Sequence, residues 1–314
     1  MIMRYDYLTH SPIVFQKLTG LHRVEFDALV QDLLPRFMAA ADARLSRPDR
    51  QRALGGGRTP DLDGRDQLRL TVVWLRQYPT HEVLGYLFGV SDSTVSRIIG
   101  RVLPLLEQAG RDTMRLPDPG RKRRRSLDEL LKDTPELAVI VDSFEQKIQR
   151  PKAKAERDGW YSHKKATHTL KSQIAVDEDT GQIVAVSASV TGRTHDLTLL
   201  QQSGLLERLP DGVGCLGDAA FQGIADLHPL GRCPRKKPRS QPRPDADVAY
   251  NRAFSQRRIV VENTIKRLRH YQAVTQTDRQ HRQQHTARVC AVAGLVNRHL
   301  THPIPHPIPH RIAA

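Results

Sequence analysis

Three acidic residues, Asp142, Asp218 and Glu262, stand where carboxylates could hold a metal ion. Asp142 directly follows the apolar run LAVIV (137–141), and Asp218 directly ends the short run VGCLG. Continuous apolar runs are typical of strands buried on both faces. If the two strands are adjacent, the carboxylates repel each other, and a divalent cation such as Mg²⁺ would neutralise them. The alternative for each aspartate is an ordinary turn cap.

Glu262 lies in the basic segment RRIVVENTIKRLR (257–269), where a carboxylate would weaken binding to a polyanion unless it has a partner. A helix over this segment keeps Arg258, Glu262 and Arg269 near one face, because they are spaced by four and seven residues. Glu262 would then be a third metal ligand, while Arg258, Lys266 and Arg269 contact phosphates. The alternative is a surface pair of Glu262 with Lys266, worth roughly 0.2–0.5 kcal/mol.

The segment THEVLGYLFGVSDSTVSRIIGRVLPLLE (80–107) predicts a helix-turn-helix within a helical unit over about 66–107. Thr80 and Ser91 can cap the two helices, and Gly89 supplies the tight turn. The residues expected to face inward from the first helix are Val83, Leu84 and Leu87. The residues expected to face outward, toward base edges and phosphates in a major groove, are Ser93, Ser96, Arg97 and Arg101. A helical hairpin with no DNA partner can show the same pattern.

Composition favours a polyanionic partner. Lys and Arg total 49 against 34 Asp and Glu, which gives a net charge of +15 and a pI near 10.1. Double-stranded DNA fits this charge better than a membrane. The opening residues lack the apolar core of a signal peptide, and no apolar run approaches the roughly 18 residues of a membrane span. We expect a cytoplasmic, nucleoid-associated protein with no membrane partner. Cys215, Cys233 and Cys290 show no disulfide or zinc pattern.

Changes in periodicity divide the chain. Helical periodicity dominates up to about residue 110, and a region rich in Pro, Gly and Arg, with the basic run Arg121 to Arg125, separates it from a strand-rich region. The run is expected to contact phosphate, with a solvated linker as the alternative. The predicted divisions are an all-α DNA-binding domain (1–110), a basic linker (111–135), an α/β domain with a mixed sheet flanked by helices (136–300) and a disordered His/Pro tail (301–314).

The chain resembles the DDE-superfamily transposases, in the branch with the insertion-sequence-five-like and Harbinger-like elements. The segments that carry the resemblance are VDSFE (141–145), GWYSHKKATHTLKSQIAVD (159–177), GRTHDLTLL (192–200), LGDAAFQG (216–223) and RRIVVENTIKRLR (257–269). They follow one another in the family's order. Three positions depart from it: His163 stands where the family usually has a glycine, Ser255 stands where many relatives have a tyrosine, and Arg269 replaces a lysine.

The resemblance implies a ribonuclease H-like catalytic domain in which Asp142, Asp218 and Glu262 form the metal-binding and catalytic triad. It also implies that His195 and Asp196 lie near the catalytic centre, and that Lys164, Lys165 and Lys171 contact the DNA backbone. The cofactor implied is Mg²⁺, for which Mn²⁺ can substitute, with two ions in each active site.

The reaction implied is cleavage of phosphodiester bonds at the element's terminal inverted repeats, followed by joining of the freed 3′-OH to target DNA. Since two ends must be cut together, the resemblance further implies a homodimer or a larger synaptic oligomer. The alternatives are a non-catalytic DNA-binding protein, either a domesticated transposase or a transcriptional regulator, and a nuclease of the same fold acting on RNA or branched DNA.

Overall fold

The computed structural model describes residue 3 and residues 5–46, 60–121 and 131–301. The described residues up to 121 contain helices and turns but no strand. The helices are α1 (Tyr5–Leu8), α2 (Pro12–Thr19), α3 (Arg23–Leu45), α4 (Gly64–Gln77), α5 (His81–Phe88) and α6 (Asp92–Asp112). The expected three-helix unit is therefore confirmed as α4, α5 and α6.

The local signals that predicted the helix-turn-helix are confirmed at both helix starts and at the turn. Thr80 Oγ1 accepts a hydrogen bond from the Val83 N–H, and Ser91 Oγ accepts one from the Thr94 N–H. Each hydroxyl satisfies a backbone donor that the helix itself leaves unpaired. Gly89 ends α5 with φ at 68°, a conformation in which a side chain is strained.

The inward face of α5 differs from the prediction at two positions. Val83 and Leu87 are 51% and 38% exposed, whereas Leu84 and Phe88 are fully buried. Gly85 lies so close to the following turn that a Cβ would come within 2.6 Å of the Val90 carbonyl oxygen. Gly85 therefore lets the buried face of the helix, with Leu84 and Phe88, approach the turn, while Val83 and Leu87 lie on the other, exposed side.

The second half of the chain is built on a seven-stranded mixed sheet. Its strands are β1 (Leu137–Lys147), β2 (Tyr161–Ser162), β3 (Thr167–Asp177), β4 (Ile183–Val186), β5 (Val190–Thr191), β6 (Val213–Leu216) and β7 (Gly231–Arg232). The order β2-β3-β1-β6-β7 forms the main path, and β4 and β5 also pair with β3. β1, β3 and β4 form the expected antiparallel meander, whereas β1 pairs in parallel with β6, and β6 with β7.

Strand β1 is longer than the apolar run that predicted it. It continues through Lys147, because its antiparallel partner β3 keeps pairing with it as far as Thr169. Asp142 therefore lies in the middle of β1, opposite Ile174, and the expectation that it ends a strand is wrong. Only the parallel pairing with β6 stops near it, which leaves Asp142 at the place where the neighbouring strand ends.

Helices flank the sheet, as expected for a ribonuclease H-like domain. They are α7 (Lys154–Trp160), α8 (Asp196–Gln202), α9 (Ile224–Leu227), α10 (Asp245–Arg269) and α11 (His285–Thr301). None of the helices within the described residues has both the length and the apolar composition that crossing a bilayer requires. The expected α/β class, preceded by a helical DNA-binding module, is confirmed.

One apolar core joins the two predicted domains. Phe26 of α3, Trp74 of α4, Val102 of α6, Ile174 of β3 and Val292 of α11 belong to a single cluster of buried side chains. The expected boundaries at about 110 and 136 stay a prediction, but the helical module and the sheet domain share this core. A smaller cluster lies on the opposite face of the sheet, and its members include Val139, Val141, Leu200, Cys215 and Phe221.

Part of the predicted linker and nearly all of the predicted tail lie outside the described residues. Residues 122–130 and 302–314 are among those not described, so the expectations for the run Arg121 to Arg125 and for the His/Pro tail stay predictions. Arg121 itself is described. Its guanidinium donates to both carboxylate oxygens of Asp177, at 3.0 and 2.9 Å, and contacts Asp179 at 3.4 Å. This member of the run is therefore engaged within the protein.

Helices α6 and α11 approach each other through two glycines. A Cβ on Gly294 would come within 2.3 Å of Gly110 Cα, and a Cβ on Gly110 would come equally near the Cys290 carbonyl oxygen. Since a real Cβ does not reach backbone atoms at that distance, the helices must separate to admit one. The glycine pair thus sets the spacing between the helix-turn-helix module and the sheet domain.

We predict that Gly294→Ala lowers the free energy of unfolding by about 1–3 kcal/mol, because overpacking outweighs the gain of about 1 kcal/mol in helix propensity. Gly100→Ala is the matched control in α6, where a Cβ meets nothing within 4 Å. It should stabilise the protein by about 0.5–1 kcal/mol. Urea unfolding measures both. A stabilising Gly294→Ala would show that the two helices are not held in contact.

His285, at the start of α11, ties this helix to the sheet. Its Nε2 lies 2.7 Å from Gln146 Oε1, and its Nδ1 lies 2.7 Å from Ser189 Oγ. The ring is fully buried, and burial, with a contribution from the charge of Arg288, lowers its pKa to about 3. The imidazole is therefore neutral in the folded protein at any pH near neutrality.

We predict that His285 makes the protein sensitive to acid. The unfolded chain takes up a proton near pH 6.5 and the folded chain only near pH 3, so stability falls as the pH drops below 6.5. Between pH 7 and pH 5 this residue should remove about 2 kcal/mol. In His285→Gln, urea unfolding should show a pH dependence smaller by that amount. Identical pH dependence in both proteins would contradict a neutral buried imidazole.

Candidate active site and nucleic-acid interface

The parallel pairing of β1 with β6 aligns Asp142 with Asp218. Ile140 pairs with Leu216 in the last step of this ladder, and each aspartate lies two residues further along its chain. Asp218 comes just after β6, where its Oδ1 accepts a hydrogen bond of 2.9 Å from the Ala220 N–H. The expectation that two neighbouring strands carry these carboxylates to one place is confirmed.

Asp142 lies in an environment that disfavours its charged form. Its side chain is 21% exposed, and burial is the main reason why its pKa is raised. The negative charges of Asp218 and Asp196 raise this pKa further. The Ser143 N–H, at 2.7 Å from Oδ1, and Arg258 Nη2, at 3.3 Å from Oδ2, oppose the rise without cancelling it. Burial and the two neighbouring carboxylates together therefore disfavour the ionised form of Asp142.

Asp196, at the start of α8, is the second carboxylate that acts on Asp142. Its Oδ1 lies 3.0 Å from Lys171 Nζ, without the alignment of a hydrogen bond. Gln173 Nε2 donates to the Asp196 carbonyl oxygen at 3.1 Å and to Ser143 Oγ at 3.3 Å. Asp196 is therefore fixed beside the site, in keeping with the position expected for it. His195 precedes it and is exposed.

Lys171 does not face outward as a DNA-contacting side chain would. The residue is 6% exposed, and its ammonium lies against Asp196 and donates to the Thr194 carbonyl oxygen. The alternating pattern of β3 suggested a solvent face, but all residues from Leu170 to Asp177 are buried because structure covers both sides of this strand. The expected contact of Lys171 with a DNA backbone is therefore wrong in this structure.

Glu262 lies on the exposed side of α10. It follows Arg258 by one helical turn, so it shares a face with the arginine that contacts Asp142. Within the part of the chain that the structure describes, no three Asp, Glu, His or Cys side chains come together as a set that could hold a metal ion. Asp142 and Asp218 supply the oxygen donors that Mg²⁺ prefers. The role of Glu262 as third ligand stays a prediction.

A buried ion pair that the sequence did not reveal holds α10 against the sheet. Arg257 Nε donates to Glu178 Oε1 at 2.7 Å, and Nη2 donates to the other carboxylate oxygen. The same guanidinium donates to Thr134 Oγ1 at 2.6 Å and to the Pro135 carbonyl oxygen at 2.9 Å. Of two adjacent arginines, Arg257 thus fixes the helix and Arg258 reaches the site. No local pattern distinguishes them, since Glu178 is distant in sequence.

Several cations predicted to contact DNA are exposed. Lys164 and Lys165 lie in the turn between β2 and β3, and Lys266 and Arg269 lie in the last turns of α10. Ser255, at the position of a tyrosine in many relatives, is exposed and donates its hydroxyl to the Asn251 carbonyl oxygen at 2.8 Å. These side chains are available to a polyanion.

The outward face of α6 carries the expected polar and basic side chains. Ser93, Ser96 and Arg97 are exposed, and Arg101 is half-buried. Arg97 Nε donates to the Ser93 carbonyl oxygen at 3.0 Å, and Arg101 Nε donates to that of Arg97 at the same distance. Burial lowers the pKa of Arg101, as do the positive charges of Arg44 and Arg97. The helix therefore presents a positively charged surface that suits phosphate groups.

Comparisons with known proteins agree with this geometry. The family model described as "DDE superfamily endonuclease" matches residues 141–297, and the "Helix-turn-helix of DDE superfamily endonuclease" matches residues 60–112. The chain is 28% identical over 284 residues to a protein of Microchaete diplosiphon titled "Probable transposase for insertion sequence element IS702". That match covers 90% of this chain and 93% of the relative.

Two other similarities are more limited. The "Putative nuclease HARBI1" of Rattus norvegicus is 27% identical over 191 residues, which cover 59% of this chain and 51% of that protein. A solved structure titled "Mos1 transposase paired-end complex with left transposon end" is 13% identical over 63% of this chain and 65% of that one, with a TM-score of 0.19, too low to bear on the fold. Together the two family models cover the helix-turn-helix and the sheet domain, and the chain belongs to the DDE superfamily endonucleases.

Proposed function

We propose that this protein is a DNA transposase that binds the terminal inverted repeats of its element, cleaves phosphodiester bonds at the element's ends and joins the freed 3′-OH to target DNA. The observation that carries the proposal is the alignment of Asp142 with Asp218 across the parallel strands β1 and β6. Two aligned carboxylates beside the end of β6 repel each other and so do not stabilise the fold, which favours a chemical role for them.

Membership in this family implies dependence on a divalent metal ion, and the carboxylate oxygens of Asp142 and Asp218 are suitable ligands for such an ion. We propose that Asp142 and Asp218 hold Mg²⁺, for which Mn²⁺ can substitute, and that Glu262 completes a site for two ions. When bound, such ions activate the attacking oxygen and stabilise the leaving oxygen. The raised pKa of Asp142, caused by burial and by the nearby carboxylates, is consistent with this assignment, because a cation would favour the ionised carboxylate.

The remaining residues position the DNA around this centre. Arg258 is anchored on a helix that the pair of Arg257 with Glu178 holds in place, so its guanidinium stays near Asp142. Exposed cations would contact phosphates on either side of the scissile bond. They are Lys164, Lys165, Lys266 and Arg269. Asp196 and its ion pair with Lys171 would orient the polar groups behind Asp142.

The helix-turn-helix would select the DNA ends. The outward side chains of α6 are placed to contact base edges and phosphates, and the shared core holds α6 at a fixed distance from the sheet domain. Because two ends must be cut in one reaction, we propose that the active form is a homodimer or a larger synaptic oligomer. The proposed number of copies rests on the number of DNA ends that the reaction must cut together.

A second candidate is a DNA-binding protein that does not cut. The observation that favours it is the exposed position of Glu262 and the lack of an assembled set of three ligands among the described residues. Such a protein would bind the element's ends through α6 with equal affinity whether or not Asp142 is intact.

We predict that the protein nicks a supercoiled plasmid carrying its gene and flanks when Mg²⁺ is present and not in EDTA. Asp142→Asn should lower the rate by more than about 100-fold, beyond the 10–100-fold typical of losing a supporting group near a metal. Asp226→Asn is the matched control, an exposed aspartate of α9 that does not belong to the aligned pair. Mapping of the break points should place them at the element's ends.

If wild type and Asp142→Asn bind the flanks equally and neither cuts in Mg²⁺, the non-catalytic candidate is correct. Cleavage that persists in EDTA would instead contradict the metal-dependent mechanism.

We predict that Arg97→Gln weakens binding to a duplex carrying the terminal repeat by about 5- to 150-fold, the range for losing one direct base contact of about 1–3 kcal/mol. Arg111→Gln is the matched control at the other end of α6, where the arginine pairs with Glu107. Fluorescence anisotropy measures both affinities. Equal losses in the two variants would mean that α6 contributes only general charge.

A further inference from the structure

A basic pocket lies apart from the aligned aspartates, where the helical module meets the sheet domain. It has a volume of about 190 Å³ and is formed where α2, the end of α4, the end of α10 and α11 converge. Its polar side chains include Lys17, Arg76, Arg267, His270 and His299. Arg267 follows Arg258 by nine residues on α10, so the pocket begins about 13 Å along the helix axis from the arginine at Asp142.

Among the described residues, His299 is the one ionisable side chain of this pocket that pairs with a carboxylate, that of Glu25. Ion pairs between described residues include none with Lys17, Arg76 or Arg267. The nearby carboxylate of Glu25 is already engaged, since Oε1 lies 2.9 Å from His299 Nδ1 and Oε2 accepts from the His22 N–H at 2.7 Å.

The wall of the pocket is built from ordered contacts. The Arg76 guanidinium lies over the Tyr271 ring, 5.2 Å from its centroid, and the His22 ring stacks on His299. Burial and the positive charges of Arg76 and Arg267 lower the pKa of His270. Arg76 and His299 are therefore held by neighbouring rings, whereas Lys17, Arg267 and His270 are exposed at the pocket. Cations that converge in this way can bind an anion.

An ordinary role for these cations is the stabilisation of a helix end. Cations in the last turn of α10 interact favourably with the helix dipole, and this accounts for Arg267 and His270. Lys17 and Arg76 likewise lie in the last turns of α2 and α4. The dipole of each helix does not explain why the ends of three helices bring their cations to one space, whereas a shared anionic ligand does.

We propose that this pocket binds a phosphate group of the DNA backbone, outside the catalytic centre. The DNA backbone is favoured as the source because Lys266 and Arg269, on the same turns of α10 as Arg267, are exposed and already assigned to phosphates. A duplex held at both places would be anchored to α10 along its length. The choice of DNA rests on the proposed function, whereas the choice of phosphate rests on the pocket alone.

The test compares full-length variants by the salt dependence of their affinity for a duplex carrying the terminal repeat. Arg76→Gln and Arg267→Gln should each weaken binding and reduce the slope of log K against log salt by about 0.9, the value for one phosphate contact. Arg267→Lys should keep the slope. Arg208→Gln, an exposed arginine of the segment Leu206–Arg208, removes the same charge elsewhere and should leave the slope unchanged.

Thermal melting shows whether each variant is folded. If both pocket variants give the slope of Arg208→Gln, the assignment to DNA is overturned. A second arm titrates the wild-type protein with inorganic phosphate while NMR follows the His270 imidazole. Unchanged slopes together with a phosphate-dependent shift of His270 would mean that the pocket takes a free phosphate and not the DNA backbone.

The second arm also separates failure of the pocket from failure of the proposed function. If the wild-type protein binds no DNA, the proposed function fails, and the titration decides the pocket by itself. A His270 shift that is lost in Arg267→Gln supports a phosphate site. No shift at millimolar phosphate overturns it.

Discussion

The parallel pairing of β1 with β6 is the constraint on which the rest of the site depends. It brings Asp142 and Asp218 to the same level of the sheet, because each lies two residues beyond the last paired step, Ile140 with Leu216. The pairing is itself held by the antiparallel contact of β1 with β3, which extends past Asp142 on both sides. Asp142 is therefore fixed by two neighbours, while the carboxylate faces the end of the shorter one.

This arrangement disfavours the ionised form of Asp142, and the neighbouring cation offsets that effect only in part. Asp142 is partly buried and lies near the negative charges of Asp218 and Asp196, so its pKa is raised even with Arg258 beside it. The cations near the site, Arg258 and Lys171, are held in position by ion pairs. The buried pair of Arg257 with Glu178 holds α10, and the ion pair of Lys171 holds Asp196. Ion pairs and hydrogen bonds of this kind keep the polar groups around Asp142 in a fixed arrangement.

Local features of the fold could be predicted from the sequence, whereas features that depend on distant partners could not. The caps at Thr80 and Ser91 and the turn at Gly89 involve neighbours in the chain, and all three are confirmed. The outward expectation for Lys171 was wrong because other elements cover both faces of β3. Val83 was expected to face inward but is half exposed. The spacing of apolar residues along α5 cannot show whether the side with Val83 and Leu87 or the side with Leu84 and Phe88 is the buried one.

The aligned aspartates were predictable because an apolar run before each of them marked a buried strand. Glu262, the predicted third ligand, was harder to place, since its position depends on how α10 packs on the sheet domain. That packing is set by contacts of Arg257 with Glu178 and of Thr264 with Gly181, not by local sequence. The shared core of the two predicted domains was equally invisible. Nothing in a single sequence indicates that Gly110 and Gly294 lie in contact.

The most direct test of the central claim is the binding of a divalent ion at the aligned carboxylates. Calorimetric titration with Mn²⁺ should show binding to the wild-type protein that is lost in both Asp142→Asn and Asp218→Asn and retained in Asp226→Asn. Equal Mn²⁺ binding in the wild type and the two site variants would contradict the claim, because it would place the metal away from the strands that bring these carboxylates together.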